Sequence, residues 1–205
     1  MNKAIKHFIP IIISLVTLVF SCNQEVKVSG ADNCIKYFNI AKSNINLYYR
    51  DSSTNHLDTA LFYINTNTSL CPEYKTSFIN LKLSILLLLK DDRQGQEFVR
   101  SLDSMDFDKD YQRGMYLGSF DAIKYEKLGD TTKRNLIYSE LSTIIENYLR
   151  VNYTDREAYV DLFVTKAKYR NKAEVIDEID SLYKDRIGDN DFVEALKQTI
   201  ESLPY

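Results

Sequence analysis

Histidine, cysteine and paired carboxylates carry most protein chemistry, and this chain of 205 residues is sparing with the first two: it has two histidines and three cysteines. His7 lies in an apolar amino-terminal stretch, which leaves His56 alone in the rest of the chain. A zinc site needs several ligands and a Ser-His-Asp relay needs a base held by a third group, so a single histidine at a predicted helix start reads as an exposed loop residue. Acid pairs occur at Asp91-Asp92, at Asp108 with Asp110, and at Asp177-Glu178 with Asp180. Two carboxylates can hydrolyse a glycoside or hold calcium. These lie at turns or on polar helix faces, where solvation and helix-end electrostatics account for them. No glycine loop able to cradle a phosphate is present. The expectation is a chain that is not an enzyme and holds no metal or dissociable cofactor.

The tyrosines and the cysteines say more. Fifteen tyrosines stand against no tryptophan, and tyrosine offers apolar area with one polar tip, which suits binding surfaces. Tyr48, Tyr49, Tyr74, Tyr111, Tyr116 and Tyr153 fall near predicted helix ends or turns and are the candidate partner-binding residues. The missing tryptophan disfavours a sugar-stacking platform. Cys34 begins the first predicted helix and Cys71 ends the second, so an antiparallel hairpin with nearly equal arms brings them to one end, within the roughly 7 Å between Cα atoms that a bridge requires. A disulfide and two separately buried thiols both fit the spacing.

These residues are positioned by a chain that opens on an export signal. Lys3 and Lys6 precede an uncharged apolar run from Phe8 to Phe20, followed by Ser21-Cys22. That is the order of a charged n-region, an apolar h-region and a small-residue cleavage site, and the run is shorter than the ~20 residues a spanning helix needs. Removing residues 1–21 leaves 24 basic against 29 acidic side chains, a net charge of −5. The longest basic cluster is Lys133-Arg134, so nucleic acid is not an expected partner. Residues 22–31 read as a polar tether and 32–205 as one domain. Only six glycines and three prolines punctuate the chain, which points to helices.

Helical periodicity predicts a first helix from a cap at Asp32 or Asn33 to about residue 50, and a second over 56–70. A third starts at Pro72 and runs over 73–90, apolar nearly all round and therefore central. Others are expected over 93–105, 110–128, 131–151, 156–170, 172–186 and 191–203. The intervening turns are short and rich in Asp, Asn or Gly, as in antiparallel helical hairpins. The pairs recur every ~34 to 45 residues, the period of a helical repeat array.

Two resemblances follow from particular residues. Ala60, Ile64 and Pro72 have the spacing of the second-helix alanine, the following large residue and the terminal proline of a tetratricopeptide repeat, and Phe78 and Leu81 fit the next repeat's first-helix aromatic and leucine. Residues 122–130, ending in Leu128-Gly129-Asp130, look like the end of a first helix and its turn, a theme repeated by Ala158, Tyr159, Leu162 and residues 168–173. The chain departs from the family at Lys82, where a small residue is usual, and at Asp106 and Asn152 in place of terminal prolines. The resemblance implies an all-α, antiparallel hairpin-repeat solenoid over about 33–187, capped by 191–203, with Tyr125 and Tyr159 in the core. Separately, Val19-Phe20-Ser21-Cys22 resembles a lipobox, which implies cleavage before Cys22 and a covalent diacylglycerol on its thiol. With no Asp after Cys22, the lipoprotein sorting rule implies the outer membrane. Asp58-Thr59-Ala60, Asp103-Ser104-Met105 and Asp130-Thr131-Thr132 resemble a short O-glycosylation motif of Bacteroidetes. The resulting expectation is a lipid-anchored cell-envelope scaffold or adaptor that binds a protein or peptide in its groove. Two alternatives stay open: an immunity protein that neutralises a cognate toxin, and a glycan-capture accessory lipoprotein.

Overall fold

A computed structural model describes residues 30–182 and 189–203; the expected signal, Cys22 and the stretch up to residue 29 lie outside the described residues. Within them the chain is all-helical, without a strand: α1 (Gly30–Asp51), α2 (Thr54–Asn67), α3 (Lys75–Leu88), α4 (Asp92–Arg100), α5 (Gln112–Lys127), α6 (Thr131–Val151), α7 (Arg156–Ala167), α8 (Lys172–Leu182) and α9 (Asn190–Ser202). Each helix packs against its neighbour in sequence, and α1 also packs on α3, α3 on α5, and α7 on α9.

Local chemistry sets the boundaries. Asp91, Asp130, Asp155 and Asp189 each accept a hydrogen bond from the backbone amide three residues on, at 2.9–3.1 Å, and so cap the first turns of α4, α6, α7 and α9. Several of the turn acids are thus helix caps. Gly129 adopts φ 74°, and the Asp130 amide reaches back to the Tyr125 carbonyl at 2.9 Å, closing α5 with a left-handed residue that costs glycine little. Two expectations need correction. The first helix, expected to be capped at Asp32 or Asn33, is already helical at Gly30. The helix expected over 93–105 stops at Arg100, because Asp103 and Asp106 exchange side-chain bonds with each other's backbone amides and wind Ser104–Asp106 into a separate 3₁₀ turn. Pro72–Tyr74 is likewise a 3₁₀ turn leading into α3.

The core is a string of clusters shared between successive helices, and this explains why α3 is apolar nearly all round. Its Phe78 and Ile85 pack with Ala41, Ile45, Leu57 and Ile64 of the first hairpin. Its Ile79, Leu83 and Leu86 face the other way, onto Val99, Phe107 and Phe120. A third cluster runs from Tyr111 and Met115 through Ile145, Tyr159, Leu162 and Phe163 to Val193, Leu196 and Ile200 of α9. Gly95 is buried where α4 meets α5, and a Cβ built there would overlap the Phe120 ring. Lys82 finds room by sending its ammonium to Asn65 Oδ1 of α2 at 2.7 Å while lying 4.2 Å from the centre of the Phe98 ring of α4.

Charge pairs stitch the array along two edges. One edge carries the start of α1, the connections α2–α3, α4–α5 and α6–α7, and the start of α9. There Cys34 is joined to Cys71, with Cα atoms 5.6 Å apart, Lys75 pairs with Asp106 at 2.5 Å, Lys109 pairs with Asp155 and Glu157 at 2.8 and 2.9 Å, and Arg156 pairs with Asp189. On the opposite edge Lys90 holds Glu126 at 2.6 Å and Lys127 holds Asp92.

Candidate functional site

The six tyrosines singled out by sequence do not form one patch. Tyr48 and Tyr49 meet edge to face at 5.8 Å at the end of α1, with Tyr49 exposed. Tyr153 is exposed in the α6–α7 connection. Tyr74 is half-buried and packs on Phe38 and Phe78, with ring centres 5.5 and 6.4 Å away. Tyr116 is half-buried between two core clusters beside Phe107, and burial pushes its phenol above the usual range. Tyr111, expected at a partner surface, is only 4 % exposed. It is a core residue: its ring lies edge-on to Tyr148 at 4.8 Å and its hydroxyl donates to Asp161 Oδ2 at 2.6 Å.

Those last contacts belong to a polar centre that sequence reasoning missed. From the α4–α5 connection, Lys109 sends its ammonium to Asp155, whose other oxygen accepts the Tyr148 hydroxyl at 3.0 Å. Burial would raise the Asp155 carboxyl, but Lys109, the Ala158 amide and Tyr148 outweigh it and hold the group below its ordinary value. Asp161, five residues along α7 from Arg156, has the opposite balance. Burial dominates and raises its carboxyl despite the bond from Tyr111. Burial likewise lowers the Lys168 ammonium, which sits 5.0 Å from the centre of the Tyr138 ring.

A second polar centre opens to solvent. Glu146, Leu149 and Arg150 of α6, Tyr159, Leu162 and Lys166 of α7, and Glu178 of α8 line a cavity of about 200 Å³. Lys166, buried at 6 % exposure, donates to Glu146 at 2.6 Å and to Glu178, while Arg170 takes the other Glu178 oxygen at 2.5 Å. Burial would lower the Lys166 ammonium, but its two carboxylates raise it. The cavity is smaller than the ~300 Å³ at which small-molecule sites begin. The sequence signal for both centres is the interruption of an apolar stretch: Asp161, Lys166 and Lys168 break the run from Tyr159 to Tyr169.

His56 is half-buried in the first turn of α2 and bonds Asp51 Oδ2 at 2.9 Å, which fastens the α1–α2 turn. Asp92 pairs with Lys127, Asp108 accepts from Asn80 at 3.3 Å, and Asp180 pairs with Lys197 at 2.8 Å. Asp91, Asp92, Asp108, Glu178 and Asp180 thus serve separate structural tasks. No helix among the described residues is long and apolar enough to cross a membrane. Comparison with known protein families, with curated proteins and with solved structures finds no match.

Proposed function

We propose that this protein is a lipid-anchored scaffold or adaptor of the cell envelope, built as a tetratricopeptide-like array of helical hairpins that binds a protein segment. The observation that carries the reading is the packing of alternate helices: α1 on α3, α3 on α5, and α7 on α9. Alternate helices in contact make a layer, here α1–α3–α5 and α7–α9 joined through the Tyr111–Asp161 bond and a shared core cluster, and a layer of repeating units presents an extended surface of the kind repeat proteins use for binding. The polar outer face of α9, with Asp191, Glu194 and Glu201 exposed over buried Val193, Leu196 and Ile200, suits a terminal cap. The Cys34–Cys71 bridge suits an oxidising compartment outside the cytosol, and the lipobox-like Val19-Phe20-Ser21-Cys22 supplies the anchor.

Site-specific photo-crosslinking in intact cells tests the binding layer. A crosslinker at Gly114, exposed on α5 with open space above it, should capture a discrete protein. The same group at Leu136, exposed on α6, should not. Equal capture from both positions, or none from Gly114, would overturn the assignment.

A further inference from the structure

We infer that the edge of the array carrying the start of α1 rests on the lipid surface. The inference builds on the lipid-anchored reading and adds which surface of the domain meets the bilayer. The ion pairs and the disulfide place the first turns of α1 and the connections α2–α3, α4–α5 and α6–α7 along one edge. Each of these segments displays a large apolar side chain to solvent: Ile35, then Leu70, then Met105, then Val151 with Tyr153, at exposures from 47 % for Ile35 to 90 % for Met105. Five of the ten large apolar side chains exposed among the described residues lie on this edge, against Tyr49 and Leu128 on the opposite one, and apolar side chains gathered on one side mark an interaction surface. Ile35 and Leu70 flank the bridged cysteines, so their Cα atoms lie within about 13 Å of each other.

Chain length identifies the occupant. Residues 23–29 alone separate Cys22 from the first residue of α1. Fully extended, the eight Cα steps from Cys22 to Gly30 reach about 28 Å. A diacylglycerol on Cys22 therefore keeps the start of α1 within that distance of the headgroups whatever path the tether takes, and an edge lying along the bilayer surface extends the contact to Met105 and Val151. Leucine, isoleucine, methionine and valine enter the acyl boundary at shallow depth, and tyrosine partitions to the headgroup level. Exposed Lys36 stands among the exposed acids Glu73, Asp103, Asp108, Asp110 and Glu157 of the same edge, so the contact is carried by the apolar side chains and does not draw on anionic lipid.

The absence of tryptophan from the chain provides a clean probe. Leu70→Trp, Met105→Trp and, on the opposite edge, Leu128→Trp are introduced singly into the full-length lipidated protein and reconstituted in phosphatidylcholine vesicles. Fluorescence is then read with and without lipid brominated near the top of the acyl chain. Leu70→Trp and Met105→Trp should shift to the blue and lose at least half their emission to the brominated lipid, whereas Leu128→Trp should be unaffected. Three water-like, unquenched spectra from protein that sediments with the vesicles would overturn the inference and leave the lipid anchor standing. A blue shift without bromine quenching would assign the edge to a protein partner and overturn it equally. Absence of the diacylglyceryl mass on Cys22 would overturn the anchor and the inference together.

Discussion

At the residue scale Glu178 and Asp161, one from each polar centre, respond to pH in opposite directions. Lys166 is buried between Glu146 and Glu178, and removing one partner of such a group strands the others. Lys166→Met should cost about 3 kcal/mol, read as a lower denaturant midpoint. The Glu178 carboxyl is held below its ordinary value of 4.5, since Lys166 and Arg170 outweigh the cost of its burial. Its contribution is therefore complete above pH 4.5 and lost as the pH falls through the lower folded value, so the gap between wild type and Lys166→Met should narrow in acid. A gap unchanged from pH 7 to pH 3 would contradict the network. Asp161 is the reverse case, because burial raises its carboxyl above 3.8. Stability from that group is complete below pH 3.8 and eroded as the pH rises through the raised folded value. Asp161→Asn keeps an acceptor for Tyr111 while removing the charge. The variant should lose less stability than wild type between pH 4 and pH 7, as thermal melts at the two pH values would report.

At the element scale, helix type and order were legible in the sequence and helix ends were less so. The α6 helix is readable because Asp130 caps it and the apolar positions keep one period to Val151. The shortening of α4 was hidden because the Asp103–Asp106 pair competes with the helix through side-chain bonds that leave no periodic trace. Close approach of helices was equally hidden. Lys82 occupies a position where the resembled family has a small residue, and the tight contact is made instead by Gly95 against Phe120. Gly95→Ala should accordingly destabilise by about 1–3 kcal/mol through overpacking. Gly114→Ala, in the exposed part of α5 with nothing near its Cβ position, should stabilise by up to about 1 kcal/mol. Parallel denaturation curves separate the two, and a gain at Gly95 would show that the α4–α5 contact is looser than described. The first hairpin is closed by a bridge spanning 37 residues in sequence, worth about 4 kcal/mol in the chain-entropy view. Reductant should lower the unfolding midpoint of the native protein accordingly, and two thiols alkylatable without reductant would rule the bridge out.

At the scale of the whole molecule, the paired helices follow from periodicity and turn chemistry, while the surfaces follow from the third dimension. A list of tyrosines could not separate the exposed Tyr49 and Tyr153 from the buried Tyr111, because each stands near a helix end and only packing decides which way the ring turns. The apolar edge of Ile35, Leu70, Met105 and Val151 was illegible for the same reason: its members are scattered over more than a hundred residues and come to one side only once the hairpins align. The central claim is that an envelope lipoprotein uses a helical-repeat surface to hold a protein partner. Native mass spectrometry of the protein extracted from its own membranes tests that claim most directly. The account predicts a chain beginning at Cys22, heavier by a diacylglyceryl group and accompanied by a second polypeptide in fixed ratio. A chain retaining residues 1–21, or a lipidated chain that carries no other polypeptide, would contradict it.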